Sequence, residues 1–269
     1  MQTAAMRRQI LIAAVLLATS SVAAAAEEQP ICADRPSKST GPCTVPVGQW
    51  QLETGLVDWA SDKSGGVRTD AVTWGNTAIK YGLSDKADVE LWITPLETLL
   101  IRGNGMREHD SSFGDMLLRV KYAVTPDSAR IQVALDPFIK LPTANHVLGN
   151  GKVEGGFLVP VQVPIAKTPL TLSFDPELDL NADADGSGRH LATQQVINIG
   201  VAASEKVSLS TEIWAKWDWD PAGTGKQVSW DIAGAYLPTK KLQLDAGANF
   251  GLNSQTPEVE VYAGVSTRF

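Results

Sequence analysis

Long apolar runs are scarce in this sequence. The longest, residues 10–18, lies near the start and is shorter than the roughly 18 residues that a membrane-spanning helix needs. Beyond residue 26 no apolar stretch approaches that length. If the chain lies in a membrane, it must therefore cross as a closed β-barrel, because helices and barrels are the structures that satisfy every backbone hydrogen bond in lipid.

Basic residues are also in deficit. The chain has 23 Lys and Arg against 30 Asp and Glu, which gives a formal net charge of −7. A nucleic-acid partner would require a basic face to meet the phosphates. The charge balance therefore argues against nucleic-acid binding.

The first 26 residues have the pattern of a secretory signal peptide. Arg7 and Arg8 precede the apolar run, and the three alanines at 24–26 provide a small-residue cleavage site before Glu27. We therefore expect three parts: a signal peptide at 1–26, a periplasmic or plug-like segment at 27–47, and one folded domain at 48–269.

Cysteine is rare, and both copies lie in the segment 27–47. Cys32 and Cys43 flank a stretch rich in Pro, Ser and Gly. In an exported chain such a pair is most simply a disulfide, which would stabilise the segment by about 2–3 kcal/mol. Two thiolates without a nearby His fall short of a tetrahedral metal set. The sequence predicts no metal site and no cofactor.

Polarity alternates with period 2 along most of the remaining chain. In the last stretch, 258–269, the odd positions are mostly apolar and the even positions mostly polar. About twelve such strands follow one another, with short returns alternating with longer breaks at 60–68, 102–112, 142–152 and 182–190. This predicts an all-β fold: a single transmembrane antiparallel β-barrel of about 12 strands, with short periplasmic turns and longer extracellular loops.

Aromatic residues are predicted to cluster at the two ends of these strands. One set lies beside the long loops and the other beside the short turns or termini, as two membrane interfaces would select. The two sets are Trp59, Trp217, Trp219 and Trp230, and Trp50, Tyr81, Tyr122, Tyr236 and Phe269. A soluble sandwich with core aromatics, the alternative fold, predicts no such sorting.

Several prolines lie within predicted strands, where they remove a ladder donor. Pro95, Pro137 and Pro176 each come about seven residues into an outward-going strand. We interpret these three as β-bulges at similar height, which either narrow the lumen or simply curve the wall.

Charged residues on the predicted inward faces imply water or paired ions inside the barrel. The candidate lumen and solute-pathway residues are Glu53, Glu90, Arg119, Lys121, Asp136, Lys140, Asp175, Glu177, Asp179, Glu212, Lys216 and Asp231. Acid outnumbers base in this set, so a pore would favour cations or neutral solutes. A lumen sealed by ion pairs is the alternative.

Catalytic and calcium-binding patterns are weak. His109, His146 and His190 are predicted to lie in long loops. The members of a hydrolytic triad are brought together by the fold, and no motif around these histidines indicates such an arrangement. We therefore predict no catalytic residue, with a barrel-embedded hydrolase as the third hypothesis. Residues 181–187 resemble half of an EF-hand loop, but Ala192 stands where the bidentate Glu is required, which favours an exposed Asx turn.

Two stretches carry resemblances. The terminal Phe269 resembles the last residue of bacterial outer-membrane barrels, which implies recognition by the barrel-assembly machinery. Residues 33–36, 43–55, 79–83 and 88–91 resemble the proteobacterial outer-membrane family labelled "putative meta-pathway of phenol degradation". The resemblance implies an outer-membrane barrel in a Gram-negative cell, surrounded by lipid, that passes small organic solutes, aromatic ones included. It supplies no catalytic motif.

Overall fold

Alternating polarity produces fifteen β-segments in residues 29–269, the part of the chain described by this computed structural model. The predicted signal peptide, 1–26, lies outside the described residues. The segments are β1 (Trp50–Ser64), β2 (Val67–Ser84), β3 (Ala87–Ile93), β4 (Leu96–Gly103), β5 (Met106–Ser112), β6 (Met116–Ala123), β7 (Gln132–Leu141), β8 (Glu154–Leu158), β9 (Val161–Pro164), β10 (Leu170–Ala182), β11 (Arg189–Ala202), β12 (Val207–Asp218), β13 (Gly225–Thr239), β14 (Leu242–Gly251) and β15 (Val259–Arg268).

All segments pair antiparallel in one sheet, which closes because β1 pairs with both β15 and β2. Three wall positions are each shared by two consecutive segments. β3 and β4 share one position, because both pair with β2. β6 and β5 share the next, because they pair with β3 and β4 respectively. β8 and β9 share the third, because both pair with β10. Counted by wall position, the barrel has 12 strands, which confirms the predicted fold.

Burial is inverted relative to a soluble protein. The largest fully buried side chains are polar or charged, among them Lys80, Lys121 and Glu90, whereas large apolar side chains cover the outside. In β15, for example, Ser266 and Arg268 are buried while Val261 is exposed. This distribution fits hydrocarbon outside and a polar interior, and the closed sheet rules out the sandwich. No helix in residues 29–269 is long and apolar enough to cross a membrane.

Two of the predicted long loops are wrong. Most of 60–68 and 102–112 is strand, because β1 and β2, and likewise β4 and β5, continue to tight two-residue turns. Gly65 and Gly66 have φ of 57° and 80°, and Asn104 and Gly105 have φ of 49° and 80°. Positive φ at both central residues matches the twist of paired strands and lets a hairpin extend to its tip.

The predicted bulges at the prolines are also wrong. Pro95 interrupts the wall between β3 and β4, while Pro137 and Pro176 lie in continuous strands with their side chains exposed. Pro176 still accepts a hydrogen bond at its carbonyl, from the Val159 N–H at 3.0 Å, so its missing donor costs only one ladder bond. Register shifts occur elsewhere, for instance between Gly55 and Val57 of β1.

The aromatic side chains do mark the two ends of the barrel. Trp50 and Tyr81 contact each other with ring centroids 4.7 Å apart at the end with the short turns. Trp230 stacks on Phe250 at 5.5 Å near the opposite end. Trp50 and Trp230 are both exposed, as side chains at a membrane interface would be.

Candidate functional site in the barrel interior

The segment at residues 29–47 forms the centre of the candidate site, because it contacts inward-facing side chains from most of the wall. It contains no regular strand. The predicted disulfide between Cys32 and Cys43 is confirmed, with a Cα–Cα distance of 6.4 Å. The bridge closes a loop that holds most of the residues described below.

Backbone N–H groups of this segment donate to buried carboxylates of the wall. Glu53 accepts from Asp34 at 2.9 Å, and Asp88 accepts from Val45 at 2.7 Å. Asp175 and Glu212 do the same on the other side of the barrel: the donors are Thr40 at 2.6 Å for Asp175 and Lys38 at 2.7 Å for Glu212. The wall carboxylates thus accept hydrogen bonds from backbone N–H groups of the segment that have no strand partner.

A buried ion cluster fixes Asp34 against the wall formed by β1, β2, β3 and β6. The Asp34 carboxylate lies between Lys80 and Lys121, and Lys121 Nζ is 2.6 Å from Asp34 Oδ1. Lys80 Nζ is also 2.7 Å from Glu53 and 3.4 Å from Glu90. Burial alone would raise the pKa of the Asp34 carboxyl, but the two ammonium charges outweigh burial and hold that pKa below its usual range.

Two further cations of the segment reach the wall formed by β12 to β15. Arg35 Nη2 pairs with Asp245 at 2.9 Å, and its guanidinium lies 5.8 Å from the ring centroid of Tyr262. Lys38 Nζ pairs with Asp231 at 2.8 Å and lies 5.0 Å from the ring of Trp214. Both contacts combine an ion pair with a cation–π contact.

All twelve predicted lumen residues are buried or half-buried, and several meet as ion pairs. Arg119 is 3.4 Å from Asp136. Lys140 Nζ lies 2.8 Å from both Asp115 and Glu154, nearer the end with the longer connections. Glu53, Glu90, Lys121, Asp175, Glu212 and Asp231 contact the segment or its cluster, as given above, whereas Glu177, Asp179 and Lys216 lie on the wall of β10 and β12 without reaching it.

Sequence reasoning missed several residues of this network, including Asp34, Arg35, Lys38 and Lys80. Lys80 alternates with the apolar Ile79 and Tyr81, and that alternation was the signal that could have placed it on the inward face. Asp34 lies in a segment without periodicity, so no pattern pointed to it. Asp58 is brought opposite Tyr262 by the register shift after Gly55, which simple alternation along β1 cannot anticipate.

A succession of cavities follows the wall of β10 to β13. Along β10, Thr171 and Ser173 line a cavity of about 430 Å³, Asp175 and Glu177 line one of about 260 Å³, and Asn181 lines one of about 620 Å³ at the end with the longer connections. A further cavity of about 650 Å³ lies at the short-turn end. The other side holds the ion cluster and, at its short-turn end, a cavity of about 680 Å³ that is lined by Cys43, Val47 and Ala123 among others.

The three histidines are placed differently from the prediction. Only His146 lies in a loop; His109 belongs to β5, and His190 is the second residue of β11. His109 and His146 are exposed. His190 is buried between two carboxylates, with Nδ1 2.9 Å from Asp183 and Nε2 2.6 Å from Asp218.

The half EF-hand sequence forms an Asx turn. Asp185 Oδ1 accepts a hydrogen bond from the Ser187 N–H at 2.8 Å, and this bond lowers the pKa of the exposed Asp185 carboxyl. Asp183 Oδ1 pairs with His190 Nδ1 at 2.9 Å.

Comparison with known proteins gives one family and several structures. The profile of the family described as "Putative MetA-pathway of phenol degradation" matches residues 33–269. No curated protein sequence matches the chain. The fold is similar to an outer membrane channel from Pseudomonas putida F1, with TM-score 0.68 and 12% identity over 87% of this chain and 100% of that chain. It is also similar to the NanC porin, with TM-score 0.51 and 12% identity over 81% of this chain and 98% of that chain.

Proposed function

Since this chain belongs to the family described as "Putative MetA-pathway of phenol degradation", we propose that it is a passive pore for small organic solutes in the outer membrane of a Gram-negative cell. The closed 12-strand barrel with an apolar exterior is an outer-membrane β-barrel, surrounded by lipid. The end with the short turns faces the periplasm in this proposal. Phe269, which is 61% exposed beside Trp50, is the contact for the assembly machinery.

One observation supports the proposed pore most strongly. The cavities of 620, 260, 430 and 650 Å³ follow one another from one end of the barrel to the other along β10 to β13. Their inward side chains include Asp175, Glu177 and Asp218. Charged walls of this kind keep water in the path and disfavour anions. The solutes are therefore neutral or cationic.

Residues 27–47 act in this proposal as a plug that narrows the barrel, which is formed by residues 48–269. The supporting contacts are the backbone donations to four wall carboxylates and the ion pairs of Asp34, Arg35 and Lys38. The plug and its ion cluster occupy the side of β1, β2, β3 and β6 except for the cavity of about 680 Å³ at the short-turn end, and they leave the series of cavities along β10 to β13.

A sealed barrel with a structural or surface-recognition role is the second candidate. The observation that favours it is the buried cluster of Asp34, Glu53, Lys80, Glu90 and Lys121, since such tightly paired charges leave no room for water between them. A hydrolase is not favoured, because His109 and His146 are exposed and His190 is held by two carboxylates.

Bilayer conductance separates the two candidates. Folded wild-type protein should give discrete, cation-preferring current steps in a planar bilayer, and a variant lacking residues 29–47 should give larger steps. Absence of steps from well-folded wild-type protein would support the sealed barrel. Equal step size in the deletion variant would refute the role of the segment as a plug.

A further inference from the structure

Two buried carboxylates, Glu212 on β12 and Asp231 on β13, lie directly opposite each other in the register of these strands and are 4% and 1% exposed. Within residues 29–269, Lys38 forms the only ion pair with either of them, between its Nζ and Asp231 at 2.8 Å. Glu212 accepts the backbone N–H of Lys38 at 2.7 Å. Like charges that face each other across strands repel, and one ammonium does not balance two carboxylates. This part of the wall therefore attracts a further cation.

Three groups of the wall surround the Lys38 ammonium. Nζ donates to Asp231 Oδ2 at 2.8 Å and to Ser229 Oγ at 3.1 Å, and it lies 5.0 Å from the centroid of the Trp214 ring. Trp214 is itself held in place, because its Nε1 donates to Gln194 at 3.0 Å. A carboxylate, a hydroxyl oxygen and a ring face together recognise a primary ammonium, which supplies both a positive charge and N–H donors.

The Lys38 ammonium occupies this place without being sealed into it. Lys38 and Trp214 both line the cavity of about 260 Å³ on the proposed solute path. The Lys38 side chain is 27% exposed, whereas the Asp231 side chain is 2% exposed. Asp231 Oδ1 is buried and has no hydrogen-bond partner within residues 29–269. Because a buried acceptor without a partner is costly, Asp231 can accept a second donor while Lys38 still holds Oδ2.

We propose that Trp214, Ser229 and Asp231 form a binding site for the ammonium group of a primary-amine solute, and that Lys38 fills this site when no solute is bound. A solute in the cavity displaces the Lys38 ammonium and makes the same three contacts. The released ammonium stays close to carboxylates, since Asp175 lines the same cavity. The role of the site in solute passage rests on the proposed pore, because the site lies on its path.

Lys38→Ala empties the site and tests the proposal. n-Propylammonium has the same heavy atoms as the Lys38 side chain beyond Cβ, so it fits the space that the variant opens. Tetramethylammonium carries the same charge but has no N–H to donate to Asp231 or Ser229. An occupancy of about 90% by Lys38 leaves a competent fraction of about 0.1 in the wild type, so removal of Lys38 tightens solute binding about tenfold.

Binding is measured by calorimetry on the full chain in nanodiscs. We expect n-propylammonium to bind once per barrel in Lys38→Ala, about tenfold or more tightly than in the wild type, and tetramethylammonium to bind the variant about tenfold or more weakly than n-propylammonium. Adding Asp231→Asn to Lys38→Ala should abolish this binding. Adding Asp70→Asn is the matched control and should leave it unchanged, because Asp70 is 2% exposed and ion-paired but pairs with Arg68 on β2.

Four results would overturn the site: no binding of n-propylammonium to folded Lys38→Ala, equal affinity in this variant and the wild type, equal binding of the two probes, or an equal loss with Asp231→Asn and Asp70→Asn. Lys38→Ser gives the same comparison if the alanine variant does not fold.

Conductance distinguishes failure of the site from failure of the pore. A wild-type barrel that conducts, with a Lys38→Ala variant that binds no n-propylammonium, retains the proposed pore and refutes the site. A variant that binds n-propylammonium in the pattern expected above, in a barrel that gives no current, supports the site and refutes the pore.

Discussion

Asp34 is the residue on which docking of the segment 29–47 depends most. Its carboxylate neutralises Lys80 and Lys121, both of which are almost completely buried. Asp34→Asn keeps the shape of the side chain but leaves these two ammonium groups with only Glu53 and Glu90 as near partners. The substitution therefore strands the Lys121 ammonium, whose remaining carboxylate partner, Glu90 Oε1, is 3.6 Å away.

The size of the effect follows from that stranded charge. Removing one partner of a buried ion pair costs about 3–5 kcal/mol, and each 1.4 kcal/mol is a factor of ten, so the docking equilibrium should weaken by roughly 100- to 4,000-fold. We expect the lower end of this range, because Lys80 retains Glu53 at 2.7 Å. Hydrogen exchange in the segment should accelerate accordingly, and current steps in a bilayer should grow.

Two variants control this experiment. Asp34→Asn combined with Lys121→Met removes the stranded ammonium, so most of the lost exchange protection should return. Asp85→Asn changes the net charge by the same amount in an exposed turn and should have no effect. Wild-type protection in Asp34→Asn, or a double variant that is no better than the single one, would refute the argument that Asp34 holds the segment by charge.

Further predictions concern the same segment. Gly264→Ala places a Cβ within 2.5 Å of the Arg35 guanidinium, so hydrogen exchange should rise around Arg35 without unfolding of the barrel. Gly200→Ala is the control and should be neutral, because its Cβ meets only ordinary contacts. Equal exchange in the two variants would refute the close approach. Cys32→Ser with Cys43→Ser should reduce protection of the segment by about 2–3 kcal/mol, and an unchanged exchange rate would show that the wall contacts suffice. Because the pKa of Asp34 is lowered, its contribution to docking is complete above the ordinary carboxyl pKa of about 4 and is lost as pH falls through the lower value in the folded protein. The difference in protection between wild type and Asp34→Asn should therefore be the same at pH 7 and pH 5 and shrink only in stronger acid, and a smaller difference at pH 5 than at pH 7 would contradict the assignment.

The barrel was predictable because its signal is local and repeated. Period-2 alternation identifies inward residues such as Glu53 and Glu90 without knowledge of their partners. The same rule would have placed Lys80 inside the barrel if the inward face of β2 had been assigned. Strand ends were harder to predict, since the hairpin through Gly65 and Gly66 is set by backbone φ rather than by polarity.

The candidate site was only half predictable, because it depends on contacts of long sequence separation. Asp34 and Lys121 are 87 residues apart, and Thr40 and Asp175 are 135 apart. Nothing in a segment without alternation indicates which wall residues it will meet. The prolines show the same limit: Pro95 breaks its strand while Pro176 does not, although each lies beside one strand that continues past it, β2 and β11 respectively.

Thiol accessibility inside the barrel tests the central claim most directly, namely that the segment and its ion cluster close the interior around Ala78 and leave a wet path along β10 to β13. Ser173→Cys places a thiol in the 430 Å³ cavity, and Ala78→Cys places one on the inward face beside the ion cluster. With a small cationic methanethiosulfonate reagent, the account predicts that Ser173→Cys reacts and its current falls, while Ala78→Cys reacts only when residues 29–47 are deleted. Rapid reaction at Ala78→Cys in the full chain, or no reaction at Ser173→Cys in folded protein, would contradict it.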